Sequence, residues 1–443
     1  MLLPHQVPLL RNATLADGST VDVTLDDGMV TAVRPTTGTA ATGGELDLTG
    51  FVLLPSTVDP HAHLDKACSW ESINPPMGDL LSAIGAWRAY SATMSEDDVA
   101  ERARGQVLAM LAQGTTAIRS HVDVRMDDDP ALNVRAVLRV REELAGLVDL
   151  ELVALAGPET PDRAVEEVLD LGVDLVGGAP HLADDPHRDQ GRLLAIAERR
   201  GVGVDLHVDE SLDGPLTLDV LARAVRGWST NVSAGHCVRL GTLAAGERAR
   251  VIAEVLASDV GVIANPITNL YLQGWEHDAS VPRGLTPARE LIDAGVRFAA
   301  GADNVRDPFN PLGRSDALET AMLLVVAGHL TVAEAFAAVS TGGRRVMRLP
   351  DAGPTVGARA DLLAVRGRNL AEVVATAPAD RLVLRAGRLV ARTTSRVELA
   401  LPTGALGHAR SGHSGPARDT VPAADQLLVS APLPTATLEA RSA

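Results

Sequence analysis

Cysteine is almost missing from this chain of 443 residues. Cys68 and Cys237 are the only two, which excludes a disulfide framework and suits a reducing cytoplasm. Aromatic residues make up 2% of the chain, too few for base-stacking platforms. Basic residues are outnumbered, 40 against 57 acidic, for a formal net charge of −17. Neither a nucleic-acid backbone nor an anionic membrane is therefore favoured as a partner. No apolar run reaches the length of a membrane helix. The opening MLLPHQVPLLRNATLADG lacks the basic segment and apolar core of a signal peptide. A hydrophobic content of 46% remains, enough to fill one large core and a small one.

Residues 1–54 read as short strands (VPLLRNATL, TVDVTLDDG, MVTAVRP, ELDLTGFVLL) separated by Gly, Asp and Thr turns. The pattern returns in ARADLLAVRG and DRLVLRAGRLVART, so residues 1–54 and 352–400 are expected to build one small β-sandwich domain from both chain ends. Between them, across residues 55–351, apolar runs alternate with helical ones. Eight runs are strand candidates: LLPSTVDPHAH, TAIRSHVDV, LELVALAG, VDLVGGAPH, GVDLHVDE, NVSAGHC, VGVIANP and VRFAAGAD. Among the intervening helices, SEDDVAERARGQVLAMLAQG opens with Ser95 and Asp98 in a capping-box arrangement and stops at Gly114. TPARELIDAG and TVAEAFAAV are each expected to be capped by their threonine. The class is α/β, and the architecture a (β/α)8 TIM-like barrel. Residues 401–443, rich in Pro, Gly, Ala and Ser, read as a flexible tail in which His408 and His413 are incidental.

In such a barrel the C-terminal strand ends form the active site. Here they carry His61, His63, His121, His181, His207, Glu210, His236, Asn265 and Asp303. The stretch VDPHAHLDK sets His61 and His63 two residues apart, on one face of an extended chain. A catalytic metal needs nitrogen or oxygen ligands from several elements and an open position for water. Singly, each residue has an ordinary role: His207 or His236 as a hydrogen-bonded core histidine, Asp303 as a helix cap, Glu210 as a solvated loop residue. Together, in this order, they point to a metal site.

The ordered landmarks DPHAHLDK, SHVDV, VGGAPH, DLHVDE, GHC, ANPITNLYLQG and GADNVRDPFNPLG run through most of residues 50–395. In these the chain resembles the metal-dependent amidohydrolase superfamily, within it the cytosine deaminase-like branch. The resemblance implies one divalent ion, Zn²⁺ or Fe²⁺, held by His61, His63, His207 and Asp303. It further implies catalytic roles for Glu210, a proton carrier to a ring nitrogen, and His236, directed at the metal-bound water. Asp303 would also accept a proton. Two-metal relatives bridge their ions with a lysine on the fourth strand; VDLVGGAPH has none, so one ion is expected. His181 and His121 are left between contact with substrate and support of the ligands.

Three departures bear on the substrate. Where cytosine-processing relatives carry FPQ, this chain has LAGPE, with Gly157 unable to read a pyrimidine edge through a side chain. Asp303 is followed by Asn304 rather than a second aspartate, and Phe309 stands in place of a tryptophan. Cytosine is thereby disfavoured, because buried polar groups left unpaired are costly. Lys66, three positions after His63, resembles a lysine of branch members acting on amino-substituted triazines. It would donate to a ring carbonyl or leaving nitrogen, or else pair with Asp65 or another local carboxylate.

The expected activity is hydrolysis by metal-bound hydroxide that releases ammonia or an alkylamine from a small nitrogen heterocycle, such as an aminopyrimidine or aminotriazine. The alternatives are ring-amide (lactam) hydrolysis at the same metal and a non-catalytic barrel scaffold. The expected partner is the small-molecule substrate, without nucleic acid or membrane, and homo-oligomerisation is left open.

Overall fold

A computed structural model describes residues 5–398. The run 401–443, read above as a flexible tail, lies outside the described residues.

Eight parallel strands pair in strict chain order. They are β1 (Thr57–Ala62), β2 (Thr115–Asp123), β3 (Asp149–Ala156), β4 (Leu175–Gly178), β5 (Gly203–Val208), β6 (Val232–His236), β7 (Gly261–Ala264) and β8 (Phe298–Ala300). They are buried along most of their length because helices cover the outside. The ring closes just past β8. There the Asp303 amide donates to the His61 carbonyl at 2.8 Å, and the His63 amide donates to the Asp303 carbonyl at 3.2 Å. The closing hydrogen bonds thus run through residues of the expected metal site.

The helix Glu96–Gln113 buries Val99, Ala103, Val107 and Met110 at spacings of three and four, the stripe that packs on the barrel. The Ser95 hydroxyl accepts from the Asp98 amide, but the Asp98 carboxylate turns to Arg102, so half of the expected capping box forms. The helix stops at Gly114, whose φ of +115° is left-handed and whose missing Cβ makes room for Leu363. Thr331 caps Val332–Ala338 with the full reciprocal box to Glu334. Thr286 departs from expectation. Its hydroxyl donates to the buried His236 carbonyl, and Pro287 takes the cap position of Ala288–Asp293; burial beside β6 offers Thr286 a partner that an exposed cap would lack.

Strands from both chain ends form one nine-stranded sheet. Phe51–Pro55 pairs antiparallel with Leu362–Arg366, joining the early strands to the late ones. Ala360 donates to the Gly28 carbonyl and accepts from the Gly387 amide, so the sheet folds round its own core of Leu10, Val23, Leu53, Leu362 and Leu384. Residues up to Thr393 form one compact unit. Arg381, on the late strand Arg381–Arg385, is buried against Asp316 at 2.6 Å, at the N-cap of barrel helix Ala317–Val326.

Candidate metal centre

His61 at the end of β1 and His63 just past it point to the mouth of the barrel, where they meet side chains from β5, β6 and the turn after β8. His207 Nε2 lies 3.3 Å from His61 Nε2 and 3.2 Å from His63 Nε2. Asp303 Oδ1 lies 3.1 Å from His63 Nε2 and 3.6 Å from His61 Nε2. Ligands about 2.1 Å from one ion at tetrahedral angles stand about 3.4 Å apart, and these separations bracket that value. Both Asp303 oxygens are buried without a hydrogen bond. Burial and neighbouring imidazoles hold His61 and His207 well below the usual histidine range, and burial with Lys66 does the same for His63. All three are then neutral, the form that binds a metal. The donor set fits a divalent cation.

His236 joins the cluster from β6. One ligand atom each from His61, His207, His236 and Asp303 lies within 4.8 Å of the others. The His236 contact is longer, 3.9 Å from Nε2 to Asp303 Oδ2, and Asn269 Nδ2 approaches its other nitrogen at 3.1 Å. Asn265 Nδ2 approaches Nε2 itself at 3.4 Å, so an amide stands at each ring nitrogen. Both His236 and Asp303 have left-handed backbone, φ +69° and +60°, a strain of about 1–3 kcal/mol each that clusters at functional sites.

Glu210 follows β5 and is buried. Its Oε2 is 3.3 Å from His181 Nε2 and its Oε1 3.7 Å from His236 Nδ1. Burial alone would raise this carboxyl, but His236 and His181 outweigh it and hold it at about 2. Asp303 goes the other way, pushed by burial up to about 6.

A cavity of about 370 Å³ opens onto His63, His207, Glu210, His236 and Asp303. Its wall also holds Lys66, Gly157, Asn304 and Phe309. Asn304 donates through Nδ2 to Asp307 at 2.7 Å, which leaves its amide oxygen as the uncommitted end. Lys66 forms the ion pair that was one of its two expected roles, at 2.6 Å from Asp123 and 3.6 Å from Asp65. These carboxylates keep it charged despite burial. His181 touches Glu210 and, through Nδ1, the His207 carbonyl at 3.4 Å. His121 is fully buried, its ring centroid 4.1 Å from that of His61. It lies 3.7 Å from Asp205 and does not line the cavity.

Several residues at the site were not singled out from sequence. Asp59 accepts from the amides of His61 and Ala302, tying β1 to the turn after β8. Asn269 stands one helical turn after Asn265 in ANPITNLYLQG, and both reach His236; their i, i+4 spacing was a usable signal. Trp87, on the helix Leu80–Ser91, donates to Asp123 at the end of β2 at 2.7 Å, and no local pattern marks it. Below the metal cluster, Arg119 is buried with bonds to Asp205, Glu151 and Ser233.

The amidohydrolase family model matches residues 85–391. The chain belongs to the amidohydrolase family. It is a hydrolase of carbon–nitrogen bonds, and its site takes a divalent metal. This amidohydrolase is 32% identical over 386 residues to a pterin deaminase of Rhizobium rhizogenes, covering 84% of this chain and 88% of that protein. The crystal structure of 5-methylcytosine deaminase from Klebsiella pneumoniae is similar with a TM-score of 0.80 at 26% identity, covering 88% of this chain and all of that one. An N-isopropylammelide isopropylaminohydrolase from Burkholderia multivorans gives a TM-score of 0.74 at 30% identity, covering 87% and 98%. Among the described residues no helix is long and apolar enough to cross a membrane.

Proposed function

We propose that this amidohydrolase removes ammonia or an alkylamine from a small nitrogen heterocycle, an aminopyrimidine, aminotriazine or pterin. One Zn²⁺ or Fe²⁺ would be held by His61, His63, His207 and Asp303. When bound, such an ion lowers the pKa of water towards roughly 7 and so supplies a nucleophile at neutral pH. The carrying observation is Glu210, a buried carboxylate on the cavity wall beside the ligand cluster. From there it would take one proton from the attacking water and pass it to a ring nitrogen, which makes the adjacent carbon electrophilic. Asp303 would take the second proton of that water and return it to the departing amine. His236 would stabilise the oxygen that gains charge during attack or orient the water.

Substrate orientation falls to the rest of the wall. Asn304, fixed by Asp307, offers its amide oxygen to a ring N–H or exocyclic amine. Phe309 offers a stacking face without a donor, and Lys66 is placed for a ring carbonyl. Gly157 leaves space where a side chain would read a pyrimidine edge, so cytosine is expected to be a poor substrate. His181 holds Glu210, and His121 supports His61 from below. The two cysteines, both free, support a cytoplasmic location.

The test is a panel of aminated pyrimidines, triazines, pterins and creatinine-like rings with metal supplied, scored for ammonia or amine release. A lactam hydrolase would open the ring and keep all its nitrogen in one product. Glu210→Gln is expected to retain its metal while losing about 10²–10⁴-fold in kcat. Full turnover in that variant would remove Glu210 from the chemistry.

A further inference from the structure

Lys66 is the only lysine among the 40 basic residues of the chain; all the others are arginine. It is also buried, 3% exposed, on the cavity wall beside Trp87 and Asp123. Its Nζ stands 2.6 Å from Asp123 Oδ1, 3.6 Å from Asp65 Oδ1 and 3.4 Å from His63 Nδ1. The centre of the Trp87 ring is 5.5 Å away. An ammonium is a compact charge with three donors, which suits partners lying in several directions; the planar fork of arginine does not. Two carboxylates face this one cation, so the group as a whole is negative and is no receptor for anions. What it offers the cavity is a positioned N–H donor.

The two carboxylates are aimed by different parts of the fold. Asp65 Oδ2 accepts from the Asp123 amide and from Asn133 Nδ2, each at 3.0 Å. Strand β2 and the helix Leu132–Glu143 therefore hold it. Asp123 gives Oδ1 to Lys66, and its Oδ2 accepts from Trp87 Nε1 at 2.7 Å. Trp87 belongs to the helix Leu80–Ser91, which borders the cavity with Leu80, Ile84, Arg88 and Ser91. That helix buries only Ala83 and Trp87. Among the described residues, no other side chain of the helix hydrogen-bonds to the barrel. While Oδ2 has its donor the Asp123 carboxylate cannot turn, and Oδ1 stays on the ammonium. Without that donor a buried acceptor is left unpaired, the carboxylate rotates to find another, and Lys66 moves with it.

We propose that Trp87 is a positioning residue for Lys66. Its indole N–H fixes Asp123, Asp123 fixes the ammonium at the cavity wall, and Lys66 is in place only while the helix Leu80–Ser91 is docked. The consequence for catalysis rests on the heterocycle reading above, in which Lys66 meets a ring carbonyl; the test contains no substrate and so stands or falls apart from that reading. A single lysine makes the test direct. The metal-loaded full-length enzyme is treated with acetic anhydride at fixed pH. Peptide mass spectrometry follows acetylation of Lys66 and separates it from the N-terminal amine. Trp87→Phe keeps a ring beside Lys66 and deletes the N–H, whereas Trp87→His keeps an N–H at the same ring position and deletes the outer ring. Acetylation is expected to quicken about three-fold or more in Trp87→Phe and to stay within about two-fold of the wild-type rate in Trp87→His. In an Asp123→Asn background Trp87→Phe should add nothing, because the carboxylate it acts through is gone. Should Trp87→Phe fail to fold, Trp87→His decides alone: a rate close to wild type supports the donor role, and a clear rise overturns it. An unchanged rate in Trp87→Phe, an equal rise in both variants, or the same gain with and without the Asp123 carboxylate would overturn the proposal.

Discussion

Gly235 has no side chain because His61 occupies the space. A Cβ at this position of β6 would come within 2.6 Å of His61 Cε1, closer than van der Waals contact allows. The imidazole would have to rotate, and with it the Nε2 that stands 3.3 Å from His207. Gly235→Ala is therefore expected to cut bound metal to less than half an equivalent per chain by elemental analysis, and to lower kcat/KM at least ten-fold. Displacing what orients a ligand typically costs about 10–100-fold in affinity or activity. At this scale the sequence was informative for histidines and acids at strand ends, because strand alternation fixes where they point. It was silent on Gly235, Asp59 and Trp87, whose roles arise only from neighbours far along the chain.

Among the elements, the late strand Arg381–Arg385 depends on a buried ion pair. Arg381 is 1% exposed and reaches both oxygens of Asp316. Arg381→Met removes the cation and leaves a carboxylate buried without its partner, a loss of about 3–5 kcal/mol. Urea unfolding should show that loss as a lower midpoint. Asp316→Asn, which keeps an acceptor and removes the charge, gives the companion measurement. Helix ends were legible where the signal was local, as in the Thr331 box with Glu334. They were not where tertiary burial competed, as at Thr286, whose hydroxyl is spent on the His236 carbonyl.

The molecule as a whole closes its barrel through its candidate metal ligands, since the backbone bonds of Asp303 with His61 and His63 join β1 to the turn beyond β8. Metal binding and fold stability are consequently linked. An ion at about a thousand-fold over its dissociation constant stabilises the folded state by about 4 kcal/mol. Chelation is expected to abolish turnover and lower the melting temperature in scanning calorimetry, with both restored by Zn²⁺ or Fe²⁺. A melting temperature indifferent to chelator, in protein shown to have lost its metal, would separate the ion from the fold.

The sequence alone determined the alternation of strands and helices and placed a histidine or carboxylate at one strand end after another. Both follow from periodicity, which is local and repeats along the chain. Only the tertiary structure decided that Lys66 pairs with Asp123, that His181 lies against Glu210, and that His121 sits beneath His61 away from the cavity. These outcomes depend on distances between residues separated by tens to hundreds of positions, which the closed barrel brings together.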